Sequence, residues 1–179
     1  INAFHMDEYI GVLPDAPQSF GNFLRIRIFD KVPFKNVYYL NGHATDLEEE
    51  CTRYTSLLSQ FPTDIVCLGI GENGHIAFND PDVANFNDHK LVKIVKLDHV
   101  CRQQQVNEKC FETLEQVPTE ALTLTIPALL KAKWMFCIVP FKNKAQAVYR
   151  TIHGDISEKC PASILRRKEK SSLYLDTES

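Results

Sequence analysis

The chain is poor in glycine, with 7 in 179 residues, about 4% where ordinary proteins carry about 7%. It has no apolar stretch approaching the ~20 residues that a membrane-spanning helix needs, and no signal-peptide pattern opens it. Its six cysteines (Cys51, Cys67, Cys101, Cys110, Cys137 and Cys160) include no C-x-x-C pair and no zinc-ligand spacing. It also lacks a basic stripe. The net charge is −3 and lysine and arginine are spread along most of the chain, which argues against nucleic acid as a partner. The single basic run, Arg166-Arg167-Lys168 with Lys170, reads as a solvated face. Cys67 and Cys137 sit inside apolar runs, where a thiol behaves as a small hydrophobe. The expectation is a reducing, cytoplasmic protein with no membrane partner.

What the chain does have is an ordinary globular balance, 44% hydrophobic and 24% charged. Residues 1–179 read as one domain. At this length roughly 70% of the unfolded surface can be buried, so neither a metal nor a disulfide is needed for stability. Of the seven glycines, three (Gly69, Gly71 and Gly74) fall within six positions, which points to unusual backbone geometry there. The sequence opens on Ile1 rather than Met, and Ile1–Met6 already reads as a strand. An N-terminal piece is therefore expected to be missing from it.

Short apolar runs alternate with segments of helical period. Ser19 is placed to cap a helix over Phe20, Phe23, Leu24, Ile28 and Phe29. Val37–Leu40 follows as a strand. Asp46 leads a helix with Glu48, Glu49 and Glu50 in its first turn, matching the helix dipole, and Pro62 closes it. Asp64–Ile70 is nearly all apolar, as a central parallel strand would be. Leu91–Leu97 alternates apolar residues with lysine, like a strand nearer an edge, and Asp98 begins a helix. Ala121–Ile126 and Trp134–Val139 are strands, with a short helix after Pro127. A helix over Lys142–Ile152 and a last strand at Ser171–Asp176 complete the chain. The pattern predicts an α/β, three-layer Rossmann-like domain with a mostly parallel sheet and helices on both faces.

In such sheets ligands bind beyond the carboxyl ends of the strands, and three places there carry chemistry. Asp7 and Glu8 follow the opening strand; being adjacent, they point to opposite sides, so one of them faces a pocket. The run Gly69–Pro81 (G-I-G-E-N-G-H-I-A-F-N-D-P) satisfies the dinucleotide pattern G-x-G-x-x-G. No helix follows to receive a pyrophosphate, however, and His75 stands among Glu72, Asn73 and Asp80. An imidazole oriented by a carboxylate is suited to proton transfer near neutral pH. Lys142-Asn143-Lys144 opens a helix, where exposed N–H groups attract anions. A carboxylate, an imidazole and an ammonium on one sheet edge make the minimum kit for sugar-phosphate isomerisation.

The motifs F-H-M-D-E-Y-I-G, L-N-G-x-A-x-D at Leu40–Asp46, and G-I-G-x-N-G-H-I-A-F-N-D-P resemble the glucosamine-6-phosphate isomerase/deaminase family. The wider group includes 6-phosphogluconolactonases, and the likeness runs along essentially the whole chain. The resemblance implies conversion of glucosamine 6-phosphate to fructose 6-phosphate and ammonia, with no metal or cofactor. It implies that Asp7 shuttles the proton between C1 and C2 and that His75 assists ring opening, with Asn73 and Asp80 orienting it. It assigns Lys144 to the phosphate, and the loop at Gly71 to the substrate. Gln105 stands where well-known members have a phosphate-binding arginine, with Arg102 a turn away as its possible substitute. Asn73 and Asp80 replace the usual Asp and Glu. The family's glycine- and threonine-rich phosphate loop, upstream of Asp7, has no counterpart here. A homo-oligomer follows from resemblance only. The competing readings are a lactone hydrolase and a non-catalytic sugar-phosphate sensor.

Overall fold

The computed structural model describes residues 1–179. Its strands are β1 (Asn2–Phe4), β2 (Asp7–Tyr9), β3 (Asn36–Tyr38), β4 (Ile65–Leu68), β5 (Val92–Lys96), β6 (Glu120–Leu124), β7 (Trp134–Val139) and β8 (Ser171–Leu175). Its helices are α1 (Phe20–Leu24), α2 (Leu47–Gln60), α3 (His99–Asn107), α4 (Ile126–Leu130) and α5 (Ala145–His153). The caps are those the side chains dictate. Ser19 accepts from the Asn22 N–H, Asp46 from the N–H groups of Glu48 and Glu49, and Asp98 from that of Cys101. Each satisfies a donor that the first turn leaves without a helical partner.

The strands form three sheets: β1 beside β3, the trio β4-β7-β8, and the trio β2-β6-β5. The first two are parallel, whereas β6 runs antiparallel to both of its neighbours. The α/β class and the parallel pairing expected from the sequence are therefore present, with three corrections. The opening strand is two strands, because the chain changes partners between Phe4, beside Tyr38, and Asp7, beside Thr123. The buried Tyr54 hydroxyl anchors this crossing, accepting from the His5 N–H at 3.0 Å. The central strand of its trio is β7 rather than β4, which pairs on one side only.

The third correction concerns the faces of the β4-β7-β8 sheet. On one side Val66, Leu68, Met135, Cys137 and Val139 are buried in the main core with residues of α2, α4 and α5. On the other side Ile65, Trp134, Ile138 and Tyr174 are roughly half exposed. None of the 179 residues covers this second face, although its apolar composition reads like buried strand.

Glu8 shows how the fold fixes its neighbour. Its carboxylate turns under α1 and accepts from the Ser19 hydroxyl at 2.7 Å and from the N–H groups of Tyr9, Phe20 and Gly21 at 2.9, 3.1 and 2.9 Å. Because strand residues alternate in direction, this leaves Asp7 on the opposite side. Glu8→Ala strands several buried donors at once, each costing about 1–3 kcal/mol when unpaired. The expected loss is about 3 kcal/mol of unfolding free energy, measurable by urea denaturation; a loss within error of zero would mean that water replaces the carboxylate.

Candidate active site

A cleft of about 900 Å³ opens where β2 begins and β4 and β7 end, lined by Asp7, Gly71, His75, Gln105, Glu108 and Lys144 among others. The structure thus brings together five of the eight residues singled out in the sequence. Asn73 and Asp80 lie behind His75 and reach the cleft through it.

Asp7 is partly buried, while Glu8 beside it is fully so. Burial pushes the Asp7 carboxyl up to about 7, with a further upward contribution from the Glu8 charge. No hydrogen bond or cation offsets these effects. A carboxylate with few partners near pH 7 is matched to general-base work at that pH.

His75 is held from behind. Its Nδ1 lies 2.8 Å from Asn73 Oδ1 and 2.9 Å from Asp80 Oδ1. Both are acceptors, so Nδ1 carries the proton and Nε2 is the free nitrogen. Asn73 in turn donates through Nδ2 to Asp80 Oδ1 and to Asp98 Oδ2, both at 2.9 Å. Burial pulls the Asp80 carboxyl upward, but the hydrogen bonds from His75 and Asn73 prevail and hold it below the usual carboxylate range. Asp80 therefore stays ionised behind the ring.

The glycine cluster makes room for this arrangement. A methyl group at Gly71 would overlap the His75 ring, and Gly74 adopts φ +91°. Gly71 also donates its N–H to the His75 carbonyl at 3.0 Å. The loop thus lays the imidazole flat against bare backbone, which a side chain at position 71 would prevent.

Across the cleft, Lys144 is buried at the start of α5, its Nζ 3.2 Å from Glu108 Oε1. Glu108 also accepts from Gln104 Nε2 at 2.8 Å, and Gln104 Oε1 accepts from the Glu72 N–H at 3.0 Å. Gln105 is buried and lines the same wall.

Arg102 does not join them. Its guanidinium bonds the carbonyls of Leu114 and Val117, which ties α3 to the turn that follows it. The assignment of Arg102 to an anion is corrected on that ground, since Nε and Nη2 are held by backbone carbonyls and the residue does not line the cleft.

Sequence reasoning missed Glu108, Gln104 and the second role of Asp98. Each makes a contact distant in sequence, Glu108 with Lys144, Gln104 with Glu72 and Asp98 with Asn73. It also missed Phe141, which lines the cleft at φ 82° and ψ 143°, a region of backbone that side chains other than glycine occupy only under strain. Asp176 Oδ2 accepts from its N–H at 2.9 Å and holds it there. No local pattern in V-P-F-K-N-K signals such a conformation.

Known proteins resemble this chain in sequence and in fold. The profile of the family described as glucosamine-6-phosphate isomerases/6-phosphogluconolactonase matches residues 1–174. A Bacillus cereus protein named glucosamine-6-phosphate deaminase is 40% identical over all 179 residues, and one of the same name from Bacillus cytotoxicus is 39% identical. The chain spans 66% of the length of these curated relatives. Among solved structures, a monomeric glucosamine-6-phosphate deaminase superposes with a TM-score of 0.89 at 35% identity, over 98% of this chain and 72% of that one. A 6-phosphogluconolactonase from Thermotoga maritima superposes with a TM-score of 0.72 at 21% identity, over 96% and 70%. The latter likeness is one of fold.

Proposed function

Because the chain belongs to the glucosamine-6-phosphate isomerase/6-phosphogluconolactonase family, we propose that it serves a glucosamine-6-phosphate deaminase. The reaction takes glucosamine 6-phosphate and water to fructose 6-phosphate and ammonia. His75 Nε2 takes part first, moving the proton that opens the sugar ring at its ring oxygen. Asp7, as carboxylate, then removes the proton at C2 of the open chain and becomes a carboxylic acid. It returns a proton to C1, leaving an iminium at C2, which water hydrolyses to the ketone with release of ammonia. None of these steps calls for a cofactor.

The observation that carries this reading is Asp7, poised near 7 by burial in the cleft that His75 shares. Hydrolysis of a lactone needs no transfer between C1 and C2 and leaves such a carboxylate without work. A substrate panel on the full-length protein tests the choice. Ammonia from glucosamine 6-phosphate is the expected product, and activity confined to 6-phosphogluconolactone would overturn the proposal.

In the same reading Lys144 and Gln105 receive the phosphate. Glu108 is then a carboxylate that the phosphate displaces from the Lys144 ammonium. A hydrogen bond to a charged group contributes about 1.5–3 kcal/mol. Lys144→Met is accordingly expected to raise KM for the phosphorylated sugar about 10- to 100-fold, with a smaller effect on kcat. Steady-state kinetics check this, and an unchanged KM would remove Lys144 from the phosphate site.

The reading places the protein in a reducing, cytoplasmic setting, supported by six unpaired cysteines. No helix is long and apolar enough to cross a membrane. For assembly, a homo-oligomer rests on resemblance, whereas the solved deaminase is described as monomeric.

A further inference from the structure

The buried side of the His75 group holds a donor that the deamination does not use. Cys101, in the first turn of α3, is 1% exposed, and its thiol lies beside Asp80. Its Sγ, a His75 ring nitrogen and an Asp80 oxygen all lie within 4.8 Å of one another. The charge around them is one-sided. Asp98 adds a second carboxylate beside Asp80, holding Asn73 Nδ2 and the Cys101 N–H. Neither acid forms an ion pair with a lysine or arginine, and the nearest basic side chain is the His75 imidazole, at 2.9 Å from Asp80.

This is the donor set of a thiophilic divalent cation: one imidazole nitrogen, one thiolate and one carboxylate oxygen. Zinc holds such atoms at about 2.0–2.3 Å, which puts the ligand atoms roughly 3.5 Å apart in a tetrahedron. With its ligand atoms up to 4.8 Å apart, the cluster needs relative shifts of up to about 1.3 Å to reach that spacing. Asn73 and Asp98 supply the hydrogen bonds that orient ligands from behind, and His75, 12% exposed in its side chain, is the way in from the cleft.

We propose that His75, Asp80 and Cys101 form a capture site for zinc-like cations, whose occupancy shuts the cleft down. On binding, three metal–ligand bonds form and no group is oxidised. The Cys101 thiol releases its proton to solvent, and the His75 proton passes from Nδ1 to Nε2 by exchange with solvent. Nε2 then carries a proton permanently and accepts none, so ring opening stops. Inhibition, though not binding, rests on the deaminase reading above.

Cobalt(II) is the probe that separates the two, because thiolate bound to cobalt absorbs in the near ultraviolet. Titration of the full-length protein with cobalt is expected to give this absorption at one ion per chain, and added zinc to abolish it. Loss of a ligand should weaken binding by about 100-fold or more, since even outer partners contribute 10- to 100-fold. Cys101→Ala and Cys101→Ser should both lose the absorption while keeping the circular dichroism of the parent. Cys67→Ala and Cys110→Ala, which remove the two exposed cysteines, should retain it. The proposal is overturned if both Cys101 variants keep the band, if either of the other two loses it, or if the parent shows none. Under the deaminase reading, zinc also blocks ammonia release and a chelator restores it. A protein that binds cobalt through Cys101 yet releases no ammonia would sink that reading and leave the metal site standing.

Discussion

Asp7→Asn is expected to lower kcat for ammonia release by about a thousandfold or more, at the upper end of the 10²–10⁴ range for a positioned base, with KM nearly unchanged. The amide fills the same space but cannot take the C2 proton. A pH profile adds a second readout. The base works as carboxylate, so activity in the parent should rise with pH through about 7, where burial has placed the Asp7 carboxyl. That acid limb should vanish from the residual activity of the variant.

The same shift has a consequence for stability. With a folded-state value of about 7 above the unfolded one near 3.9, Asp7 stabilises the fold fully below pH ~4. That contribution is lost as pH rises through about 7. Asp7→Asn has no charge to desolvate, so its stability relative to the parent should climb between about pH 4 and pH 7 and then level off. Denaturation at several pH values reads this directly, and a difference that stays flat would place the carboxylate in water.

His75→Gln is the second large effect, a fall in kcat of about 10²- to 10⁴-fold. Glutamine preserves a hydrogen-bonding group and much of the volume but transfers no proton at neutral pH. The loss should be concentrated in ring opening. Binding of the phosphorylated sugar, measured by calorimetry, should change much less, because the phosphate is assigned to Lys144 and Gln105 on the opposite wall. A variant that loses binding and turnover in equal measure would make His75 a binding residue instead.

Much of this molecule was legible before its coordinates. Ser19, Asp46 and Asp98 announced the starts of α1, α2 and α3 because capping is local chemistry written within three residues. The opposition of Asp7 and Glu8 followed from strand alternation, and the glycine cluster at Gly69–Gly74 pointed to His75. What escaped depends on contacts distant in sequence. The pairing of β6 antiparallel to β2 and β5 leaves no mark in Ala121–Ile126, whose apolar run fits either direction. Glu108 reaches Lys144 across 36 positions, and Asp98 reaches Asn73 across 25. Arg102 was the candidate substitute for an anion ligand, but the carbonyls of Leu114 and Val117 hold its Nε and Nη2 away from the cleft. The strained backbone of Phe141 is likewise set by Asp176 from a different strand end.

The central claim is that Asp7 moves the proton between C2 and C1. Its most direct test uses glucosamine 6-phosphate carrying deuterium at C2, followed by nuclear magnetic resonance with the parent and with Asp7→Asn. The parent should strip deuterium from C2 as ammonia appears, while in the variant the label should stay on C2. Loss of the label by Asp7→Asn at the parental rate would contradict the account.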